Sequence, residues 1–273
     1  MPTRWPRAFD LCRWAPRIMT TTLEDWERKH YSEGGGSPFL FYVVFGSDAS
    51  ELKVSRSKHR CDSIPEGVYI SSYGPCTHPD VLDEFRQGYL WDELRKEEPH
   101  LAEQVEAQTK CVIVQGTVTD DRSLNYFRNT IGLLTALLET GGVAIYDPQS
   151  FKWWAPDKWR TTIFEPASAL PREHVVILVS GEERHTKWVH TRGMRKFGRP
   201  DLSVRGVASD HFEGVVDLIN SFIEFQAFGG VIPDGQSIRM QSLPMGMRCA
   251  HGGDIDDPDF NNSHVELFWP PAA

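Results

Sequence analysis

Apolar positions along the chain fall into a few clear rhythms. Phe39 to Phe45 (FLFYVVF) is an unbroken apolar, aromatic and β-branched run of strand length, which predicts a strand buried on both faces. Lys110 to Val118, Val143 to Tyr146 and His174 to Ser180 predict further strands, and Gly67 to Ile70 a shorter partner. Leu124, Phe127, Ile131, Leu134 and Leu138 recur at helical spacing, and Leu133 and Leu137 widen the stripe. That predicts a deeply buried helix from a cap at Asp121 to Thr140, stopped by Gly141-Gly142. A second helix is expected from Asp210, with Glu213 as its capping-box partner. Its apolar face is Phe212, Val215, Val216, Ile219, Phe222 and Ile223, and Gly229-Gly230 ends it. Val81, Phe85 and Tyr89 recur every four residues, predicting a helix from Pro79 to about Arg95. A short helix is expected over 23–30, before the breaker Gly34-Gly35-Gly36-Ser37-Pro38. Lys187 to His190 and Leu202 to Val207 read as strands around a glycine turn, and Ile238 to Met240, Met247 to Cys249 and Val265 to Trp269 as short closing strands.

Three good helices alternating irregularly with about nine strands, several of them consecutive, make this an α+β chain rather than a regular doubly wound one. The sheet is expected to be mixed or antiparallel. The order is compatible with a ferredoxin-like core carrying the 186–207 hairpin as an insertion. One domain is expected over 19–273, with a weak boundary near 107–110. Residues 1–18 lack the apolar stretch of a secretory signal, and read either as a flexible arm or as a mis-called start before Met19.

Composition narrows the class. Of 273 residues, 40% are hydrophobic and 25% charged, as in globular proteins. No apolar run approaches the roughly 18–20 residues of a spanning helix, so no membrane partner is expected. A net charge of −9 argues against nucleic acid as a partner. Five cysteines, an odd number with no C-x-x-C pair, point to reduced thiols and a cytoplasmic location. The phosphate-loop, dinucleotide, zincin and α/β-hydrolase fingerprints are all missing, and no cofactor is expected.

Charge is uneven. Residues 78–107 hold nine acids and three bases, a solvated helix face or a partner surface. Residues 184–206 hold seven bases and one acid, Asp201. Arginine forks suit phosphate and carboxylate, and Gly193 and Gly198 let backbone amides approach an anion. The candidate ligand site is therefore Arg192, Gly193, Lys196, Gly198, Arg199 and Asp201, with Arg192, Lys196 and Arg199 as an anion clamp. The other reading is a hairpin with a solvated basic face. His190 is the one nearby general acid/base candidate. His185 and His190, at odd spacing, are not expected to share a metal. The loop bearing Asp254, Asp256, Asp257 and Asp259 lacks the EF-hand pattern, so no metal site is expected there. The aromatic segment 151–159 reads as the edge of a core or as a stacking surface.

Two segments, GGVAIYDPQSFKWWAPDKW over 141–159 and TRGMRKFGRPDL over 191–202, resemble an uncharacterised, mainly bacterial family of unknown function. In that family a glycine-started A-x-Y-D-P-Q strand precedes a T-x-G-M-x-K-F-G-x-P-D-[LI] turn. The resemblance covers roughly 110–225 and implies a shared turn structure and no catalytic residue. Contexts of toxin immunity or interaction in the family incline the reading toward binding. Two functions are thus expected: an intracellular binding or interaction protein, or an enzyme acting on a phosphate-bearing or acidic small molecule through the basic turn.

Overall fold

A computed structural model describes residues 23–270 except 79, 183 and 184. The expectations for residues 1–18 fall outside them. The chain builds two five-stranded sheets. The first has the order β2-β3-β1-β4-β5 and is antiparallel throughout, from β1 (Phe39–Phe45), β2 (Val68–Tyr73), β3 (Cys111–Thr117), β4 (Ala144–Asp147) and β5 (Lys152–Trp154). The second has the order β6-β7-β8-β10-β9, from β6 (Val176–Gly181), β7 (Lys187–Arg192), β8 (Asp201–Val207), β9 (Arg248–Gly252) and β10 (His264–Phe268). Its β8–β10 pair is parallel, so this sheet is mixed. The architecture is α+β, as expected.

β1 is central and buried on both faces. Leu40, Tyr42 and Val44 join a core with α5 (Asn125–Glu139), α7 (Phe212–Ala227) and the second sheet. Val43 and Phe45 join a separate core under α3 (Tyr89–Glu97) and α4 (Pro99–Glu106). Strand alternation sends successive side chains to opposite faces, which is why one apolar run serves two cores. β3 divides the same way, Val112 and Val114 on one side, Cys111 and Ile113 on the other.

Several expectations need correction. The strands at 144 and 176 fall in different sheets, so the ferredoxin-like single sheet is replaced by two. The described residues hold seven α-helices rather than about three: α1 (Arg56–His59), α2 (Val81–Glu84) and α6 (Pro156–Trp159) are single turns, and α4 begins with Pro99. The expected 79–95 helix is broken, because α2 stops at Phe85 and α3 restarts after Gly88. Residues 23–30 are not a helix: Glu27 forms a bridge to Ser123, and Trp26 is pinned by its Nε1 donating to the Ala167 carbonyl at 2.8 Å. Residues 238–240 are not a strand, only flanking a bridge from Ser237 to Arg248. Neither long helix uses its expected cap. Asp121 accepts from the Arg122 amide instead, and α7 follows a 3₁₀ turn at Ser209–His211. The stop at Gly141 holds, with φ 99° and the Gly142 amide donating to the Leu137 carbonyl.

Candidate functional site: an arginine-flanked cleft between the sheets

The segment joining β7 to β8 is wedged between the two sheets. Gly193 leads into a 3₁₀ turn, Met194–Phe197, that packs on β1. Gly198 ends it with φ 64°, and its carbonyl accepts from the Gly36 amide at 3.0 Å. A Cβ at 198 would collide with the Gly36 carbonyl, so only glycine fits.

This packing reassigns the expected clamp. Lys196 is 0% exposed. Its Nζ lies 2.6 Å from Asp147 Oδ2 and donates to the His174 carbonyl at 2.7 Å. Asp147 is itself held by the Gln149 amide and the Ser150 hydroxyl. Arg199, 2% exposed, donates to the carbonyls of Gly198, Gly229 and Gly230 and to both oxygens of Asp120 at 3.2 Å. Both cations are buried, each ion-paired and bonded to backbone carbonyls, and carry structure. The reason is the wedge: each must pair internally because water does not reach it.

Arg192 and Arg195 are placed differently. They line a cavity of about 300 Å³ with Gly193, Asp201, Phe260 and Asn261 on one wall, Phe39, Phe41 and Phe85 on the other, and Pro148 and Gln149 closing it. The Arg192 guanidinium lies 4.9 Å from the Phe151 ring centroid, and that of Arg195 4.3 Å from the Phe39 centroid. Their hydrogen bonds go to backbone carbonyls, Arg192 to Asp259 at 2.7 Å and Arg195 to Asn261 at 3.3 Å. Among the described residues neither makes an ion pair, and Arg192 Nε is buried without a partner. Gln149 plugs the end of β1 where β4 has left it, accepting from the Phe41 amide and donating to the Phe39 carbonyl, both at 3.1 Å.

Asp201 is fully buried at the cavity wall. It accepts from the Thr191 hydroxyl, the Met194 amide and Asn262 Nδ2. Burial outweighs these bonds and pushes its carboxyl up to about 6. His190 stands apart. Its ring stacks on Trp188 at 3.8 Å and meets Phe260 edge-on, and burial lowers it to about 4. It is neutral near pH 7 and does not border the cavity that Asp201, Arg192 and Arg195 line. His185 lies outside β7 altogether.

Arg195, Gln149 and Phe260 were missed in the sequence reading. Arg195 carried a signal, as one of the seven bases, but nothing local distinguished a buried arginine from a half-exposed one. The aromatic segment divides: Trp154 and Trp159 are core, while Trp153 stacks on Tyr146 at 4.2 Å. Among the described residues no group of three or more His, Cys, Asp or Glu side chains is placed to hold a metal, and no helix is long and apolar enough to cross a membrane. Among the described residues Cys61, Cys76, Cys111 and Cys249 are free thiols, in no disulfide. No family model, no curated protein and no solved structure matches the chain.

Proposed function

We propose that this chain is a binding protein whose inter-sheet cleft takes an anionic ligand between Arg192 and Arg195. The observation that carries the reading is the contrast within one turn. Lys196 and Arg199 are ion-paired with Asp147 and Asp120 and bonded to backbone carbonyls, while Arg192 and Arg195 face a cavity and, among the described residues, form no ion pair and hydrogen-bond only to carbonyls. Guanidiniums held over aromatic rings and partly withdrawn from water bind carboxylate or phosphate more strongly than solvated ones. Four phenylalanines lining the same space suit a ligand with an apolar body. Free thiols are in keeping with a cytoplasmic setting.

A thermal-shift panel of phosphate, citrate and aromatic acids at moderate salt tests this. Wild type is expected to be stabilised by at least one anion, and the paired Arg192→Ala and Arg195→Ala variant to stay folded and lose the shift. If no anion stabilises wild type, the reading fails, and the turn is a protein-partner surface instead.

One observation favours a second reading, an enzyme for acidic or phosphate-bearing small molecules. Asp201 borders the same cavity with its proton held to about pH 6, the range of a general base. Turnover of a phosphoester or ester panel that disappears in Asp201→Asn would select it over pure binding.

A further inference from the structure

The tripeptide Gly34-Gly35-Gly36, read from sequence only as a break, lies directly over the basic turn. Gly35 sits flat on the Arg199 guanidinium, so close that a Cβ there would fall inside it. Beneath the loop, Arg28 and Arg199 share a single carboxylate, Asp120. Their remaining donors go to neutral carbonyls: Ala227, Asp121 and Phe197 for Arg28, and Gly198, Gly229 and Gly230 for Arg199. Two buried guanidiniums against one carboxylate leave one unit of positive charge unbalanced under the glycines. Above them is a second cavity, of about 440 Å³, lined by residues 34–37, Arg195, Ile232 and Asn262 among others. It abuts the first at Phe39 and Arg195, which border both. The amides of Gly34, Gly35 and Ser37 and the Ser37 hydroxyl have no partner among the described residues.

We propose that the Gly34–Ser37 loop is a phosphate cradle, and that the ligand of the cleft is a phosphomonoester with an aromatic body. The phosphate lies on the loop amides, between Arg195 and the unbalanced Arg28–Arg199–Asp120 node, and the aromatic body lies against Phe39 in the first cavity. This rests on the reading of the cleft as an anion site made above, and it refines the placement: the anion lies on the loop side of Arg195, which borders both cavities, and Arg192 faces the ligand's body in the first. Phosphate is selected over carboxylate because three terminal oxygens can accept from several amides and a guanidinium together, and a planar carboxylate reaches fewer of them. Loop glycines allow backbone to approach an anion closely, as in other amide-built phosphate sites. Asp254 and Asp256, flanking the lining residue Ile255, are exposed, so their repulsion is screened by solvent and salt.

Calorimetric titration with phenyl phosphate and benzoate separates the two ideas, because the probes share a ring and differ in the anion. Wild type is expected to bind phenyl phosphate about tenfold or more tightly than benzoate, one to two extra charge-assisted bonds' worth. Ser37→Asp, at an exposed position, puts a carboxylate into the cradle and is expected to weaken phenyl phosphate more than benzoate and so abolish the preference, since like charges repel at short range and the phosphate carries the larger charge. Ser37→Pro, which removes the amide and the hydroxyl, is expected to do the same if it folds. If wild type binds the two probes equally, or Ser37→Asp leaves the preference intact, the cradle is wrong and the anion site stands. If wild type binds neither probe, both fail.

Discussion

Lys196 lies four residues from Arg192 in the same turn, yet the two side chains meet different chemistry. Lys196 is enclosed with Asp147, so removing its charge leaves a buried carboxylate without a cation. Lys196→Met is expected to destabilise by about 3–5 kcal/mol, while Arg195→Ala, half-exposed and free of ion pairs among the described residues, costs within about 1 kcal/mol. Urea denaturation of the two variants checks the contrast, and equal losses would contradict it. Titration adds a second residue-level test. Asp201 keeps its proton to about 6, above its ordinary 3.8, so the folded state binds more protons than the unfolded one between those values. Wild-type stability relative to Asp201→Asn should therefore fall as pH rises from 4 to 7, by about 3 kcal/mol. His190 runs the other way. Lowered to about 4 from 6.5, it is buried neutral, and wild type should lose stability relative to His190→Gln as pH falls through that window. A stability difference flat in pH for either variant would show that the group is not buried as described.

At the scale of elements, α5 is where periodicity read best. Eleven of its fifteen residues are buried, as the spacing predicts, and the helix packs on β1 and β4. The same helix holds a feature no hydrophobic pattern reveals. Gly132 lies under the 55–61 segment, and a Cβ there would overlap the His59 carbonyl oxygen and crowd Cys61. Gly132→Ala, a helix-favouring change by propensity, is instead expected to cost about 1–3 kcal/mol by overpacking against backbone. A rise in melting temperature would show that the segment can move aside. The acidic 78–107 stretch shows the opposite balance. Of its four-residue apolar rhythm, Val81 and Phe85 pack on the second core, but Tyr89 is exposed, and Gly88 divides the stretch into separate helices.

Across the whole molecule, the sheets are joined by buried charge as well as by apolar packing. Lys196 leaves the second sheet and pairs with Asp147 at the end of β4 in the first. Arg28, near the start of the described chain, bonds to Phe197 and Asp120, linking it to the turn. β3, directly after residues 107–110, pairs with both β1 and β2 from before that point. A cut at 107–110 would remove the central strand from its neighbours on both sides. Limited proteolysis is therefore expected to yield no pair of independently stable halves divided there, and urea to give one cooperative transition. Two stable fragments meeting near 107–110 would overturn this.

Local pattern was enough for the α+β class, for the strands at 39–45, 111–117, 144–147 and 201–207, and for the two long helices, because burial on one face imposes a period on a helix and burial on both faces an unbroken apolar run on a strand, and the residues themselves display both. It was also enough to single out the basic turn as unusual. It was not enough for the helix starts or for the 79–95 break, where short-range hydrogen bonds and Gly88 competed with periodicity. Nor could it divide the strands between two sheets, since pairing joins residues far apart in sequence. The roles of the basic side chains were decided by tertiary structure alone. Whether a lysine or arginine is saturated or open depends on which carboxylate the fold brings to it. Asp147 and Asp120 lie 49 and 79 residues before Lys196 and Arg199, and the positions of Arg192 and Arg195 at a cavity wall follow from how the turn is wedged between the sheets.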